Sequence, residues 1–397
     1  MVGARAAGSP AAMLLARKGY HVLVVDRATF PSDTLSTHVI HAPGVAALHR
    51  WGLLDDVVRT GCPPIASYTF DFGPTTIRGP TRPVDGITTA YAPRRTVLDA
   101  ILVEAAARAG AEVREDFNVD GLAVEDGVVV GIRHRDAMER ARIVIGADGR
   151  NSHVAKAVAA PAYNTKPRLQ YGYYTYFSNM PVDGLENYIR PDRGFGCAAT
   201  NDGLTMIVAG WPYAEAGAFK SDVEANFLAT LRRIPTVADR LDGARRELPL
   251  LGGAVPGYLR RPFGPGWALI GDAGYNKDPI TTQRITDAFH DAERCAAAVD
   301  AWLIGAASYD EAMSAWHRER DAHVMPMYEL TSQFATLEPP PPDMQQLLGA
   351  MQGNREAMDG FVSVISGAVS PVEFFSEENV GRILADARVP VGMAAAT

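Results

Sequence analysis

Cysteine is scarce in this chain. Cys62, Cys197 and Cys295 are the only three in 397 residues, they stand far apart, and no Cys-x-x-Cys pair occurs. Such usage suggests neither a disulfide framework nor a zinc site, and it makes the cytoplasm the expected compartment. Long apolar runs are also missing. No stretch approaches the ~18–20 residues of a membrane span, and the N-terminus lacks the three-part pattern of a signal peptide, so no integral membrane association is expected. Neither charge sign gathers in a block: Lys plus Arg total 38 against 46 Asp plus Glu, a net charge of −8. Nucleic acid is therefore not an expected partner. No internal repeat marks a solenoid. What is present is a globular composition at a length beyond one domain of roughly 100–200 residues, which predicts two or more packed units around a large core.

The pattern opens on a glycine turn, Gly3-Ala4-Arg5-Ala6-Ala7-Gly8, then a helix from Ser9 to Lys18 closed by Gly19, then an apolar strand from His21 to Val25. Only Met1 and Val2 precede the turn, whereas a strand is normally about five or six residues long, so the sheet is expected to lack a central member. A second helix is predicted over Thr96 to Ala109, with Gly110 as its stop. Asp126-Gly127 between Gly121–Glu125 and Val128–Arg133 is a strong hairpin signal, and Arg142 to Ile145 is another apolar strand. From about Ala160 to Gly257 the texture changes to alternating aromatic and polar residues, as in Tyr171 to Phe177, which predicts an antiparallel sheet with one covered face. Near the end, Glu338 to Asp343 reads as extended polyproline-like chain, and Phe361, Val362, Val364, Phe374 and Phe375 are too apolar for a free tail.

Three motifs carry chemistry. Gly3-x-Arg5-x-x-Gly8, with Asp26 18 residues after Gly8, has the spacing of a dinucleotide fingerprint but an Arg where the middle glycine belongs. Asp26 is positioned to accept from ribose hydroxyls, Arg27 beside it is a further candidate, and Arg5 must either point away or add charge at the phosphates. A tight turn with a capping Asp is the plainer alternative. In the second motif, Ile143 to Ser152, an apolar strand delivers Asp148-Gly149 into a sharp turn before a helix, a pattern that a purely structural strand-turn-helix shares. In the third, the strand Trp267 to Ile270 stops at Gly271-Asp272, turns through Pro279 and opens into a helix. Backbone N–H groups and one carboxylate then meet at one point, which suits a polyhydroxylated, phosphate-bearing ligand.

In order and separation these motifs resemble the class A flavoprotein monooxygenases, the FAD-dependent oxidoreductases of the para-hydroxybenzoate-hydroxylase-like superfamily, from Gly3 to about Asp321. The resemblance implies an α/β fold: a Rossmann-like FAD-binding domain with an inserted antiparallel-sheet substrate domain and a C-terminal helical appendage. The expected divisions are 1–70, 92–160 and 257–330 for the FAD-binding domain, 71–91 and 161–256 for the substrate domain, and 331–397 for the appendage. It further implies that the Asp148 loop lies near the FAD pyrophosphate and a docked pyridine nucleotide, that Asp272 binds the ribityl chain, and that the backbone after Pro279 faces the flavin pyrimidine. Arg95 would contact the cofactor from a helix start, its neighbour Arg94 being solvated. The cofactor contacts expected are thus Gly3, Arg5, Gly8, Asp26, Arg27, Arg95, Asp148, Gly271, Asp272, Pro279 and Arg284. Two residues depart from the family pattern, Asn276 replacing a His and Arg284 the Gly of a Gln-Gly pair. Arg284 either adds positive charge beside the flavin N1 and C2 carbonyl, raising its potential, or fills the ring's place and excludes FAD.

The function implied is an FAD- and NAD(P)H-dependent monooxygenase, a hydroxylase or epoxidase working through a flavin C4a-hydroperoxide. Its partner would be a hydrophobic, polyketide-like small-molecule substrate. No acid–base triad is needed, and no catalytic side chain is assigned. The tryptophans, Trp51, Trp211, Trp267, Trp302 and Trp316, include no Trp-x-Trp-x-Ile-Pro segment, which disfavours a halogenase. A flavin-dependent double-bond reductase and a redox-silent cyclase or binding protein stand beside this reading, the last favoured by Arg284 and by the missing first strand. His38, His41, His317 and His323 lack a metal-ligand spacing and are expected to be ordinary hydrogen-bonded or surface residues.

Overall fold

In the computed structural model residues 1–387 are described, so the last part of the expected appendage, 388–397, lies outside the described residues. The first unit is built on a parallel sheet running Glu112–Arg114, Leu23–Val25, Met1-Val2, Val144–Gly146 and Trp267–Leu269, with Phe263–Gly264 antiparallel at the edge. The expected gap at its centre is not there. Val2 bridges both Val25 and Gly146: its N–H donates to the Ile145 carbonyl at 2.9 Å, its carbonyl accepts from Ala147 at 2.7 Å, and the Met1 carbonyl accepts from Val25 at 3.0 Å. Two residues suffice because a central strand pairs on both edges at every step.

Both faces of this sheet are covered, which is why its strands read as short apolar runs rather than alternating ones. Helices α1 (Gly8–Arg17), α2 (Ala42–Trp51), α3 (Arg95–Arg108) and α5 (Arg284–Leu303) gather over one face around Met13, Leu48, Leu98, Leu102 and Phe289; α4 (His153–Ala157) follows the Val144–Gly146 strand. Gly19, at φ +87°, provides the left-handed step that ends α1. The hairpin Gly121–Glu125 and Val128–His134 covers the other face through Val129 and Ile132, and its turn residues Asp126 and Gly127 have φ of 48° and 79°, the positive pair a tight two-residue hairpin turn needs.

The second unit is a larger sheet ordered Arg245–Arg246, Gln170–Ser178, Thr205–Pro212, Arg193–Ala199, Leu185–Arg190, Tyr68–Asp71 and Thr76–Gly79, antiparallel except where Leu185–Arg190 meets Tyr68–Asp71. Tyr68–Asp71 runs across the expected 70/71 division. Alternation sends Phe177, Ile207 and Trp211 to a face covered by the helices Val223–Leu231 and Pro235–Leu241. Tyr174, Tyr176 and Met206 occupy the opposite face. Helix α6 (Tyr309–Phe334) and four short helices after it complete the described residues. Phe361, Val362, Val364 and Phe374 are buried against Tyr68, Phe70 and Ile77 of this sheet. Pro342 and Asp343 begin a helix instead of extending the proline run, proline being well suited to a first helical turn, where its missing N–H costs nothing.

Candidate active site

Strand ends set the location. Gly3, Asp26, Ala147 and Gly271 all follow the carboxyl ends of neighbouring parallel strands, where ligand crevices form in open α/β sheets. Gly3 has φ +99°, and a Cβ there would lie 2.4 Å from the Ala147 carbonyl oxygen; at Gly8 it would lie 1.8 Å from the Gly3 carbonyl oxygen. Only glycine lets these two turns nest. The Ala4 N–H donates to Asp26 Oδ2 at 2.8 Å and the Ala28 N–H to Oδ1 at 2.9 Å, so the partly buried Asp26 is held at the loop with lone pairs to spare. Arg27 beside it is exposed. No side chain caps α1, which leaves its N-terminal N–H groups and the positive end of its dipole to an anion.

Arg5 does point away from the glycine turn. Its Nη1 lies 2.6 Å from Asp99 Oδ2 and its Nη2 2.8 Å from Ser32 Oγ. Arg95, the first residue of α3, reaches the same carboxylate one turn on, with Nε 3.0 Å and Nη2 2.8 Å from Asp99 Oδ1. Two guanidinium groups on one fully buried carboxylate leave a net positive charge beside the α1 N-terminus. Asp99 is the residue that sequence reasoning passed over; its signal was the i, i+4 spacing from Arg95 on a helix. Arg94, expected to be solvated, instead pairs with Asp202 at 2.8 Å and lies over the Tyr176 ring at 5.6 Å.

The carboxylate of Asp148 turns into its own loop. It accepts from Ser152 Oγ at 2.5 Å and from the backbone of His153 and Val154 at 2.6 and 3.2 Å, capping α4. What this loop offers the crevice is backbone. The Tyr258 hydroxyl ties it to the next one, lying 3.1 Å from the Arg150 carbonyl and 2.8 Å from that of Asp272. Gly271, at φ +56°, closes against α1: a Cβ there would be 2.8 Å from that of Ala7. The loops bearing Asp26, Asp148 and Asp272 thus run along one sheet edge, although only Asp26 and Asp272 keep carboxylates at it.

Arg284 has a partner within the protein. Its guanidinium rests on Asp272, 12 residues earlier and just past the strand Trp267–Leu269, with Nε 3.3 Å from Oδ1 and Nη2 against Oδ2. Pro279 forms a single turn whose Ile280 N–H donates to Asp278 at 3.0 Å, and the buried Asn276 donates to the Pro256 carbonyl at 2.5 Å. Lys277, also buried, has its ammonium 2.7 Å from Asp287 and 2.9 Å from Gln283 Oε1. His38 and His41 are fully buried and, as expected of ordinary histidines, hydrogen-bonded. His41 bonds the Tyr68 hydroxyl at 3.0 Å and Thr282 Oγ1 at 2.9 Å, and His38 Nε2 meets the Tyr176 hydroxyl. No group of three or more His, Cys, Asp or Glu among the described residues is arranged to hold a metal, and no described helix is long and apolar enough to cross a membrane.

Burial sets a pH response. It pushes the Asp278 carboxyl up to about 7, and it lowers His38 to about 3 and His41 to about 4. The raised Asp278 stabilises the fold below the ordinary carboxylate range and loses that contribution as pH rises through about 7. The depressed histidines act oppositely, stabilising above about 6.5 and losing it as pH falls towards 4. Asp278→Asn is expected to remove a loss on the order of 2–3 kcal/mol between pH 5 and pH 8. Urea unfolding of both proteins at the two pH values checks this; an unchanged pH dependence would contradict it.

Glycine turns without room for a Cβ, an uncapped helix end beside shared guanidinium groups, and a carboxylate held by backbone N–H groups lie at one sheet edge of an α/β protein with a second, largely antiparallel sheet. The family described as FAD binding domain matches residues 1–227, more than half of the chain, and the chain belongs to that family, within the class of FAD-dependent oxidoreductases. It is similar to the menaquinone reductase of Mycolicibacterium smegmatis, 30% identical over 72% of each chain. It is also similar to the 6-methylpretetramide 4-monooxygenase of Streptomyces rimosus, 27% identical over 74% of this chain and 72% of that one. Among solved structures, the myxobacterial chondrochloren halogenase CndH superposes with a TM-score of 0.78 over 97% of this chain and 95% of its own, at 22% identity, a likeness of fold. The class A flavoprotein resemblance is thereby borne out at the level of family and fold.

Proposed function

We propose that the chain is an NAD(P)H-dependent FAD monooxygenase acting on a hydrophobic, polyketide-like small molecule. The observation that carries this reading is the convergence of the Gly3–Gly8 turn, Asp26 and Asp272 on one sheet edge, with the Arg5–Asp99–Arg95 cluster beside it. The adenosine end suits FAD: turns with no room for a Cβ allow close backbone approach, the α1 N-terminus with its guanidinium groups complements a diphosphate, and Asp26 accepts from a ribose. Gly271, Asp272 and the backbone after Pro279 would hold the flavin end, on condition that Arg284 releases Asp272. When bound and reduced by NAD(P)H, the flavin supplies activation of molecular oxygen and its transfer to an electron-rich carbon.

This chain's own residues bind, orient and exclude water. Tyr174, Tyr176 and Met206 form an apolar face on the large sheet, with His38 against the two tyrosine rings at centroid distances of 5.8 and 5.7 Å. Since burial lowers His38 to about 3, the imidazole is neutral at ordinary pH. Its Nε2 is committed to Tyr176, while the buried Nδ1 has no partner in the structure, a polar atom left unsatisfied behind this face. The 6-methylpretetramide 4-monooxygenase likeness supports oxygen insertion. The likenesses to a menaquinone reductase and to a digeranylgeranylglycerophospholipid reductase favour a second reading, reduction of a double bond by the same bound flavin. Absorption of the purified protein, then NADPH and oxygen consumption with and without added FAD, tests both. A flavin spectrum with substrate-stimulated oxygen uptake supports the monooxygenase, NADPH oxidation without oxygen uptake supports the reductase, and no NADPH turnover with FAD bound rejects both.

A further inference from the structure

The two ends of the crevice are not equally free. At the adenosine end, Asp26 is held by backbone N–H groups, and Arg5 and Arg95 share Asp99. At the other end, the Asp272 carboxylate is met by Arg284 through both of its oxygens. Nearby Lys277 already has Asp287, and among the described residues Asp272 is the one carboxylate at ion-pair distance from Arg284. A hydroxylated ligand chain seeking Asp272 therefore competes with a charge-assisted, two-point contact that the protein carries within itself. The pair is not locked in the core, however. The Arg284 and Asp272 side chains are 24% and 23% exposed, so the guanidinium can swing off into solvent at moderate cost.

We infer that Arg284 is a specificity-determining residue that opposes the flavin half of the ligand: the crevice binds the ADP portion first and admits the ribityl–isoalloxazine portion only in exchange for the Arg284–Asp272 contact. This rests on the FAD reading of the crevice. The ligand class that fits the chain as folded is an adenosine diphosphate group, free or as part of a larger dinucleotide. FAD then gains little from its flavin half, because each hydrogen bond a ribityl hydroxyl makes to Asp272 replaces one that Arg284 was making. The same exchange leaves the ADP end untouched, since Arg284 makes no contact there.

Calorimetric titration of the full chain with ADP, FAD and FMN, repeated on Arg284→Gly and Arg284→Gln, tests the exchange without recourse to turnover. The glutamine variant keeps most of the side-chain stem and removes the charge, so the result does not depend on one substitution being well tolerated. In the unaltered protein, ADP and FAD are expected to bind within about threefold of each other and FMN more weakly than either. Both variants are expected to bind FAD roughly 10–100-fold more tightly, the range of one charge-assisted contact, with ADP affinity changed less than twofold. ADP binding with an FAD affinity that neither variant moves overturns the inference and leaves the flavin reading standing. If ADP and FAD both fail to bind the unaltered chain, the inference and the reading beneath it fall together.

Discussion

Asp99→Ala is expected to lower the free energy of unfolding by about 3–5 kcal/mol, the cost of leaving buried charge without its partner. Asp99 has no exposed surface, and it carries Arg5 at 2.6 Å and Arg95 at 2.8 Å, whose side chains are 24% and 10% exposed. Arg5 can turn partly to solvent. Arg95, in the first turn of α3, has little such freedom, so most of the penalty falls there. Because these two guanidinium groups flank the end of α1, their displacement should weaken ADP and FAD alike. Asp99→Asn, which keeps the shape and one acceptor, should lose less. Urea unfolding of the three proteins measures the ordering; a loss below about 1 kcal/mol for Asp99→Ala would mean that the cluster is not sharing one buried carboxylate.

The second large effect is a reversal of sign. Alanine ordinarily stabilises a helix by about 1 kcal/mol relative to glycine. At Gly8, in the first turn of α1, the added Cβ would lie 1.8 Å from the Gly3 carbonyl oxygen and 3.1 Å from the Ala147 Cβ. Neither backbone can yield, because Val2 and Ala147 are bonded to each other in the central pairing of the sheet. Gly8→Ala is therefore expected to destabilise by about 2–3 kcal/mol through overpacking. Gly217 is the control: it lies in the helix Ala216–Lys220 with nothing within 4 Å of a Cβ, and Gly217→Ala should be neutral or stabilise by up to about 1 kcal/mol. Equal thermal shifts for the two substitutions would count against the nested turn.

Much of this molecule is legible in local patterns. The Asp126-Gly127 turn dictates its hairpin through two positive φ values, Gly19 ends α1, and the run from Arg95 to Arg108 is a helix as its spacing predicts. The three motifs mark strand ends that the fold does bring to one edge. Contacts between distant residues were not legible. Arg5 and Asp99 are 94 positions apart, and nothing near Arg5 says which carboxylate will receive it. A strand of two residues defeats a length expectation because the sheet counts paired backbone groups rather than residues. Asp148 and Asp272 look alike in sequence, each closing an apolar strand before a helix. They differ in what the following residues do: Ser152 and the α4 N-terminus draw one carboxylate inward, whereas Arg284 covers the other. The Tyr258 hydroxyl that ties these two loops comes from the strand Gly257–Arg260, outside all three motifs.

Crystals of the full chain grown with FAD test most directly whether these loops form one cofactor crevice. The expected electron density has the adenosine ribose at Asp26, the diphosphate at the start of α1 beside the Arg5–Asp99–Arg95 cluster, and Arg284 turned away from Asp272. Density for FAD elsewhere on the molecule, with Asp26 empty and the Arg284–Asp272 pair intact, would contradict it.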